Sequence, residues 1–176
     1  MLDRVRRLFP RRLDYGVPQM PAITLRPIGV VRNGVKQPMP GGWEDITSRV
    51  VLRPELAEAL LGLDGYSHIW VLFWPHLVPE DVRGSKPRLH PMDDPANPLQ
   101  GVLATRAQIR YNPVLVSPVR LLKVEGNVLW VKGLDAVDGS PVLDVKPYIP
   151  HHDSIAEAEV PRWVTERVAG RKPSRA

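Results

Sequence analysis

Four charged side chains crowd into residues 133–150 (G-L-D-A-V-D-G-S-P-V-L-D-V-K-P-Y-I-P): Asp135, Asp138, Asp144 and Lys146. A segment built only to fill a core would not place so many charges between Val142, Val145 and Ile149. Gly139, Pro141 and Pro147 constrain the backbone around them, and a preset backbone is what a ligand site needs. The set offers carboxylates that can accept hydrogen bonds or protons, a cation, and the aromatic ring of Tyr148. A purely structural alternative stands beside this one. In it, an Asp138-Gly139 turn feeds an edge strand ending at Pro147, and Asp144 and Lys146 form an internal ion pair.

Other candidates are sparser. Arg106 and Arg110 lie four apart and can hold an anion. His68, which opens an apolar run, reads more readily as a hydrogen-bonded structural residue than as an acid or base. His68, His76 and His90 lack the compact spacing of a structural zinc site, and no glutamate stands beside them as in H-E-x-x-H, so no metal is expected. His151-His152 reads as an exposed turn. Trp43 beside the Gly41-Gly42 pair is the better candidate for an exposed stacking aromatic. Trp70 and Trp74, four apart, are expected to share one side of a strand and fill core.

These residues must be positioned by a chain of 176 residues, most simply one domain. The chain has no cysteine, which excludes a disulfide framework and a thiol nucleophile. No apolar run approaches the ~20 residues that cross a bilayer, and the basic start lacks the apolar core of a secretory signal. A cytoplasmic protein is expected. The formal net charge is +5, yet residues 1–12 and 161–176 each carry +4, leaving −3 for the middle. Basic ends can grip a phosphate backbone or remain solvated without a partner. The acidic body argues against RNA binding by the domain's own face.

Twenty prolines and thirteen glycines argue against a helical bundle and suit a β protein with many fixed turns. Strands are expected over 24–32, 49–52, 68–74, 101–109, 117–124, 128–132 and 142–148. Glu125-Gly126-Asn127 marks a hairpin between the fifth and sixth of these. Pro54 opens a helix that Gly62 can end, with Leu56, Ala59, Leu60 and Leu63 on its packed face. Residues 75–100, with six prolines, read as a long loop. A weak helix over 155–168 is broken at Pro161. Six or seven strands with one or two short helices give a mainly β fold, a barrel or curled sheet.

Three ordered motifs carry a family resemblance. The stretch from Asp135 to Pro150 resembles D-x-x-D-G-[ST]-P-[VL]-[LV]-D-[IV]-K-P-Y-[IL]-P, the signature of the TrmO (TsaA-like) family. Residues 62–70 (G-L-D-G-Y-S-H-I-W) are similar to its G-L-x-x-[FY]-S-H-[IL]-W element. Residues 101–106 (G-V-L-A-T-R), with Arg110-Tyr111-Asn112-Pro113, resemble its G-V-F-A-T-R…R-P-N-P loop. Tyr111 and Leu115 stand where the family has a proline and a glycine, and Gln108-Ile109 departs as well. The similarity runs over about 28–150.

The resemblance implies a single-sheeted β-barrel rather than a Rossmann methyltransferase, and no G-x-G-x-x-G follows a strand here. It implies an S-adenosyl-L-methionine-dependent methyltransferase acting on N6 of threonylcarbamoyladenosine beside the anticodon of tRNA. A homodimer is implied too. It divides the chain into a basic arm (1–22), a barrel domain (23–152) and a basic tail (153–176). The motif positions carried over as cofactor-binding are His68, Arg106, Arg110, Asn112, Pro113, Ser117, Asp135, Gly139, Ser140, Pro141, Lys146 and Tyr148. Asp138 and Asp144 are the candidates for the acid–base helper. Two other functions fit the same residues: methylation of a small molecule, or a barrel that binds S-adenosyl-L-methionine without catalysis.

Overall fold

The computed structural model describes residues 21–169. Residues 1–20 and 170–176, and with them most of both basic ends, lie outside the described residues. Six strands close into an antiparallel barrel: β1 (Gly29–Arg32), β2 (Thr47–Leu52), β3 (His68–Phe73), β6 (Leu115–Glu125), β7 (Val128–Lys132) and β8 (Pro141–Pro147). Their order around the barrel is β1-β2-β7-β6-β3-β8. Closure pairs every strand on both sides, so no long apolar edge is exposed. A separate two-stranded sheet pairs β4 (Arg88–Leu89) with β5 (Gln100–Gly101).

Alternation of side chains decides the inside. Val31, Val50, Leu52, Ile69, Val71, Phe73, Val119, Leu121, Leu129, Val131 and Val142 all point inward and are buried. Leu60, Leu134 and Ala136 complete the core from the connecting segments. The β6–β7 hairpin turns at Gly126, whose φ of 58° lies in the left-handed region. A Gly126→Ala substitution is therefore expected to cost about 1 kcal/mol, read as a fall of a few degrees in Tm with the cofactor affinity unchanged.

Several elements differ from the sequence expectation. The first strand starts at Gly29 rather than Thr24, because Pro27 has no N–H to give; Ile28 N–H, donating to Val142 O at 2.8 Å, begins the pairing. The helix after Pro54 is a 3-10 helix over Pro54–Leu60, with Leu60 buried but Ala59 exposed. The strand expected over 101–109 is absent. Only Gln100–Gly101 pairs, after which Val102–Ala104 forms a 3-10 turn. Thr105 Oγ1 donates to Val102 O at 2.8 Å, a local bond that competes with a ladder.

The loop over 75–100 folds into short 3-10 turns, held in part by Asn97 Nδ2 donating to Pro91 O at 2.7 Å. Two short helices end the described chain, α1 (Pro150–Asp153) and α2 (Arg162–Ala169). The helix expected over 155–168 thus forms only beyond Pro161. His151 and His152 are exposed on α1. Among the described residues, no helix is long and apolar enough to cross a membrane.

Trp70 is not in the core. Ile69, Val71 and Phe73 take the inward positions of β3, so Trp70 stands outside the barrel, 5.5 Å from the Tyr148 ring. Trp74 lies past the end of β3, half-buried, with the Arg83 guanidinium 5.1 Å from its ring.

Candidate functional site

The connection from β7 to β8 is anchored residue by residue. Leu134, Ala136 and Val137 are buried, and Gly133 N–H donates to Ile46 O at 3.0 Å. Between these anchors, Asp135 is exposed. Ser117, buried on the inner face of β6, donates its hydroxyl to Asp135 Oδ1. One oxygen of this carboxylate is thereby oriented, leaving Oδ2 for a ligand.

The next carboxylate has a different task. Asp138 Oδ1 accepts the backbone N–H of Asn33 at 3.0 Å, and Oδ2 accepts Lys36 Nζ at 2.6 Å, with the Arg32 guanidinium 3.7 Å away. The lysine bond, joined by the Asn33 and Gly34 N–H groups, holds its pKa down at about 2 against the opposing cost of burial. Gly139 follows with φ 86°, which an L side chain adopts only under strain. Its N–H donates to Val31 O at 2.8 Å. Asn33, which sequence reasoning missed, locks the same turn by donating to Ala136 O at 2.8 Å and Ser48 Oγ at 3.0 Å. Its only sequence signal was an Asn-Gly pair after a strand.

Above this turn lies a cavity of about 980 Å³, framed by the loop over 38–45, the segment over 106–118 and the β7–β8 connection. That volume accommodates a nucleoside-sized ligand. His68, Arg106, Arg110, Ser117, Asp135 and Ser140 all line it. Arg106 donates to Val116 O at 2.9 Å and Arg110 to Thr105 O at 3.2 Å. Neither guanidinium has a carboxylate partner among the described residues. Ser140 Oγ is buried there without a hydrogen-bond partner among the described residues. Trp43 is half-buried at the cavity wall, its Nε1 donating to Met39 O at 3.1 Å, rather than a fully exposed stacking ring.

Other expected site residues are not brought to this cavity. Asp144 and Lys146 pair with each other at 2.6 Å on the outer face of β8. Tyr148 lies on the same outer face, edge-on to His68 at 6.4 Å. Pro113 is buried as packing and Asn112 is exposed nearby. Asp138, Gly139 and Pro141 support the turn beneath. Two of the departures from the family motif have plain accommodations. Leu115 opens β6 opposite Phe73 in extended backbone, where no glycine is required. Tyr111 lays its ring against Gly84, where even a Cβ would come within 2.7 Å of Cδ1. Among the described residues, no cluster of three or more His, Cys, Asp or Glu could hold a metal ion.

The cavity fits S-adenosyl-L-methionine by the chemistry of its walls. Guanidinium groups without a carboxylate suit the ligand's own, Asp135 and Glu44 offer acceptors, and the orphan Ser140 hydroxyl awaits a partner.

Comparison with known proteins agrees. Residues 33–154 match the family described as the tRNA-methyltransferase O N-terminal domain. A probable S-adenosyl-L-methionine-binding protein of Methanothermobacter thermautotrophicus is 42% identical over 137 residues, covering 76% of this chain and 95% of that protein. The tRNA (adenine(37)-N6)-methyltransferase of Escherichia coli is 40% identical over 106 residues, 58% of this chain and 44% of that protein. The crystal structure of TrmO from Pseudomonas aeruginosa superposes with a TM-score of 0.62 at 34% identity, over 78% of this chain and 61% of that one. The chain thus spans nearly all of the archaeal relative and under half of the Escherichia coli enzyme.

Proposed function

Because the chain belongs to the tRNA-methyltransferase O N-terminal domain family, we propose that it is an S-adenosyl-L-methionine-dependent methyltransferase that modifies tRNA at N6 of threonylcarbamoyladenosine beside the anticodon. The observation that carries this reading is the cavity in which Arg106 and Arg110, neither paired to a carboxylate, meet the Ser117–Asp135 pair. When bound, the cofactor supplies an electrophilic methyl group on a sulfonium.

Arg106 and Arg110 hold the donor's carboxylate by charge-assisted hydrogen bonds, and Ser140 donates or accepts one bond from the cavity floor. The acceptor nitrogen is weakly nucleophilic while its lone pair is delocalised, so a base must take its proton near the transition state. Asp135 fills that role rather than Asp138 or Asp144. It alone of the three lies in the cavity, oriented by a buried serine, whereas Asp138 is bound into its turn and Asp144 is paired outside the barrel. His68 stands at the rim, its Nδ1 2.9 Å from Ser67 Oγ, and positions the acceptor.

Three further proposals follow from family membership. The protein is cytoplasmic, it works as a homodimer, and basic segments 1–22 and 153–176 flank a barrel domain over 23–152. The half-buried Trp70–Tyr148 contact on the barrel's outer face supports the dimer.

The test is methyl transfer from deuterated-methyl S-adenosyl-L-methionine to tRNA lacking this modification, with the digested nucleosides weighed by mass spectrometry. The expected product is threonylcarbamoyladenosine carrying one labelled methyl group. Donor turnover without label in RNA would move the acceptor to a small molecule. Tight binding of S-adenosylhomocysteine without any turnover would leave a non-catalytic binding barrel.

A further inference from the structure

The mean charge of the body conceals a strong segregation. Strands β1, β2, β7 and β6 are neighbours in the barrel and carry Arg32, Arg49, Lys132, Arg120 and Lys123, against Glu125 as the single acidic residue. All five cations occupy outward positions. The remaining acids sit largely in other segments, among them Glu55, Glu58, Asp64, Glu80, Asp81 and Asp153.

The register makes this arrangement costly. Arg32 stands directly opposite Arg49 in the β1–β2 ladder, and Arg120 directly opposite Lys132 in the β6–β7 ladder. Like charges at facing positions destabilise a sheet. Barrel closure does not require them, since these side chains point away from the core. The compensation within the protein is partial. Asp138 sits 3.7 Å from Arg32, Asp45 lies 3.4 Å from Lys132, and Glu125 is taken by Lys123 at 2.6 Å. Arg49 and Arg120 have no carboxylate partner among the described residues.

An aromatic ring lies within the cationic band. Trp130 is the cross-strand partner of both Arg49 and Lys123, with the Arg49 guanidinium 5.6 Å from its ring centroid. Arg32, Thr47, Arg49 and Trp130 line a shallow recess of about 400 Å³ together with Asn33, Gly34 and Asp138, whose carboxylate is paired with Lys36 and Arg32. The band also reaches the cavity already described, because Arg120 and Lys132 line its mouth. Cations along a groove with an aromatic platform among them are the arrangement that holds a single-stranded nucleic acid.

We infer that the outer face of β1, β2, β7 and β6 is the RNA-docking surface, where Arg49, Arg120 and Lys132 track the phosphate backbone and Trp130 stacks an unpaired base. The band thereby feeds the neighbouring nucleotide toward the Ser117–Asp135 pair. This inference rests on RNA being the methyl acceptor, and it locates affinity in the barrel itself, against the expectation drawn from the body's net acidity.

The test uses the full chain and a fluorescein-labelled hairpin RNA with a single-stranded loop, followed by anisotropy across a salt series. S-adenosylhomocysteine binding is measured in parallel. Arg49→Glu is expected to weaken RNA binding about tenfold and to flatten the salt dependence by about one ion. Its Tm should hold or rise, because the repulsion opposite Arg32 is relieved; a merely structural arginine would lower it. Trp130→Ala should cost about tenfold and Trp130→Phe much less, as stacking requires. Neither position lines the cofactor cavity, so cofactor affinity should stay unchanged. Salt-dependent RNA binding that survives both Arg49→Glu and Trp130→Ala overturns this face while leaving an RNA acceptor in place. A wild-type chain that binds S-adenosylhomocysteine but not the hairpin at low salt overturns the RNA acceptor, and the docking face with it.

Discussion

Asp135→Ala is expected to slow methyl transfer by about 100-fold or more, the usual contribution of a positioned base, while the barrel stays folded. The backbone at this position is held by buried Leu134 and Ala136, and the exposed side chain contributes little to that anchoring. Among the described residues, the substitution removes the hydrogen bond from Ser117, and leaving that buried hydroxyl unpaired costs about 1 kcal/mol. Asp135→Asn is the sharper variant. The amide oxygen can still accept the Ser117 hydroxyl, yet the group can no longer take a proton. Both variants should bind S-adenosylhomocysteine within a few-fold of wild type, because Arg106 and Arg110 remain. Full turnover by Asp135→Asn would remove the proton-accepting role. A loss of cofactor affinity with kcat preserved would instead make Asp135 a ligand for the donor's ammonium.

Asp138→Asn should behave in the opposite way, with stability lost and chemistry kept. Its carboxylate has a pKa of about 2 in the folded protein against an ordinary 3.8, chiefly because of Lys36 and the N–H groups of Asn33 and Gly34. A depressed carboxylate stabilises the fold above its unfolded pKa, and that contribution disappears as pH falls through the folded one. With Lys36 mostly exposed and screened by solvent, about 1–2 kcal/mol is expected at neutral pH. Urea titrations should place Asp138→Asn below wild type at pH 7, with the gap closing between pH 3.8 and about 2. At a temperature where the variant is folded, its kcat should remain near wild type. An early and large loss of kcat in a fully folded Asp138→Asn would return Asp138 to the chemistry.

The contrast between these two carboxylates marks where the sequence became silent. Asp135, Asp138 and Asp144 lie within ten residues and share one motif, so residue type and spacing alone lend them similar standing. Their fates depend on partners remote in sequence: Ser117 for Asp135, and Asn33 and Lys36 for Asp138. Asp144 is the exception, since its partner Lys146 is two residues away on the same strand face and the ion pair could be read locally.

Much of the fold was legible because it is local. The β6–β7 hairpin announced itself through Glu125-Gly126-Asn127, and β3 through its apolar run. The strand expected over 101–109 failed for a complementary reason. Its composition suits a strand, but Thr105 satisfies the backbone of its own turn and Leu103 stays exposed, so nothing rewards pairing. Trp70 reads as core from sequence because it lies four residues from Trp74 in an apolar run, on one expected side of a strand. Alternation along β3 instead gives the inward positions to Ile69, Val71 and Phe73 and turns Trp70 to the opposite face.

The sequence by itself determined the family, the strand-rich barrel and the motif residues from which a cofactor site is drawn, because these depend on side-chain period, turn chemistry and short ordered patterns. Only the tertiary structure decided which of those residues face one cavity, and that Arg32 meets Arg49 and Arg120 meets Lys132 on a shared outer face. Register is set by closure of the whole barrel. A shift of one residue in any ladder would turn each of these side chains to the other face, and no local stretch of sequence contains that information.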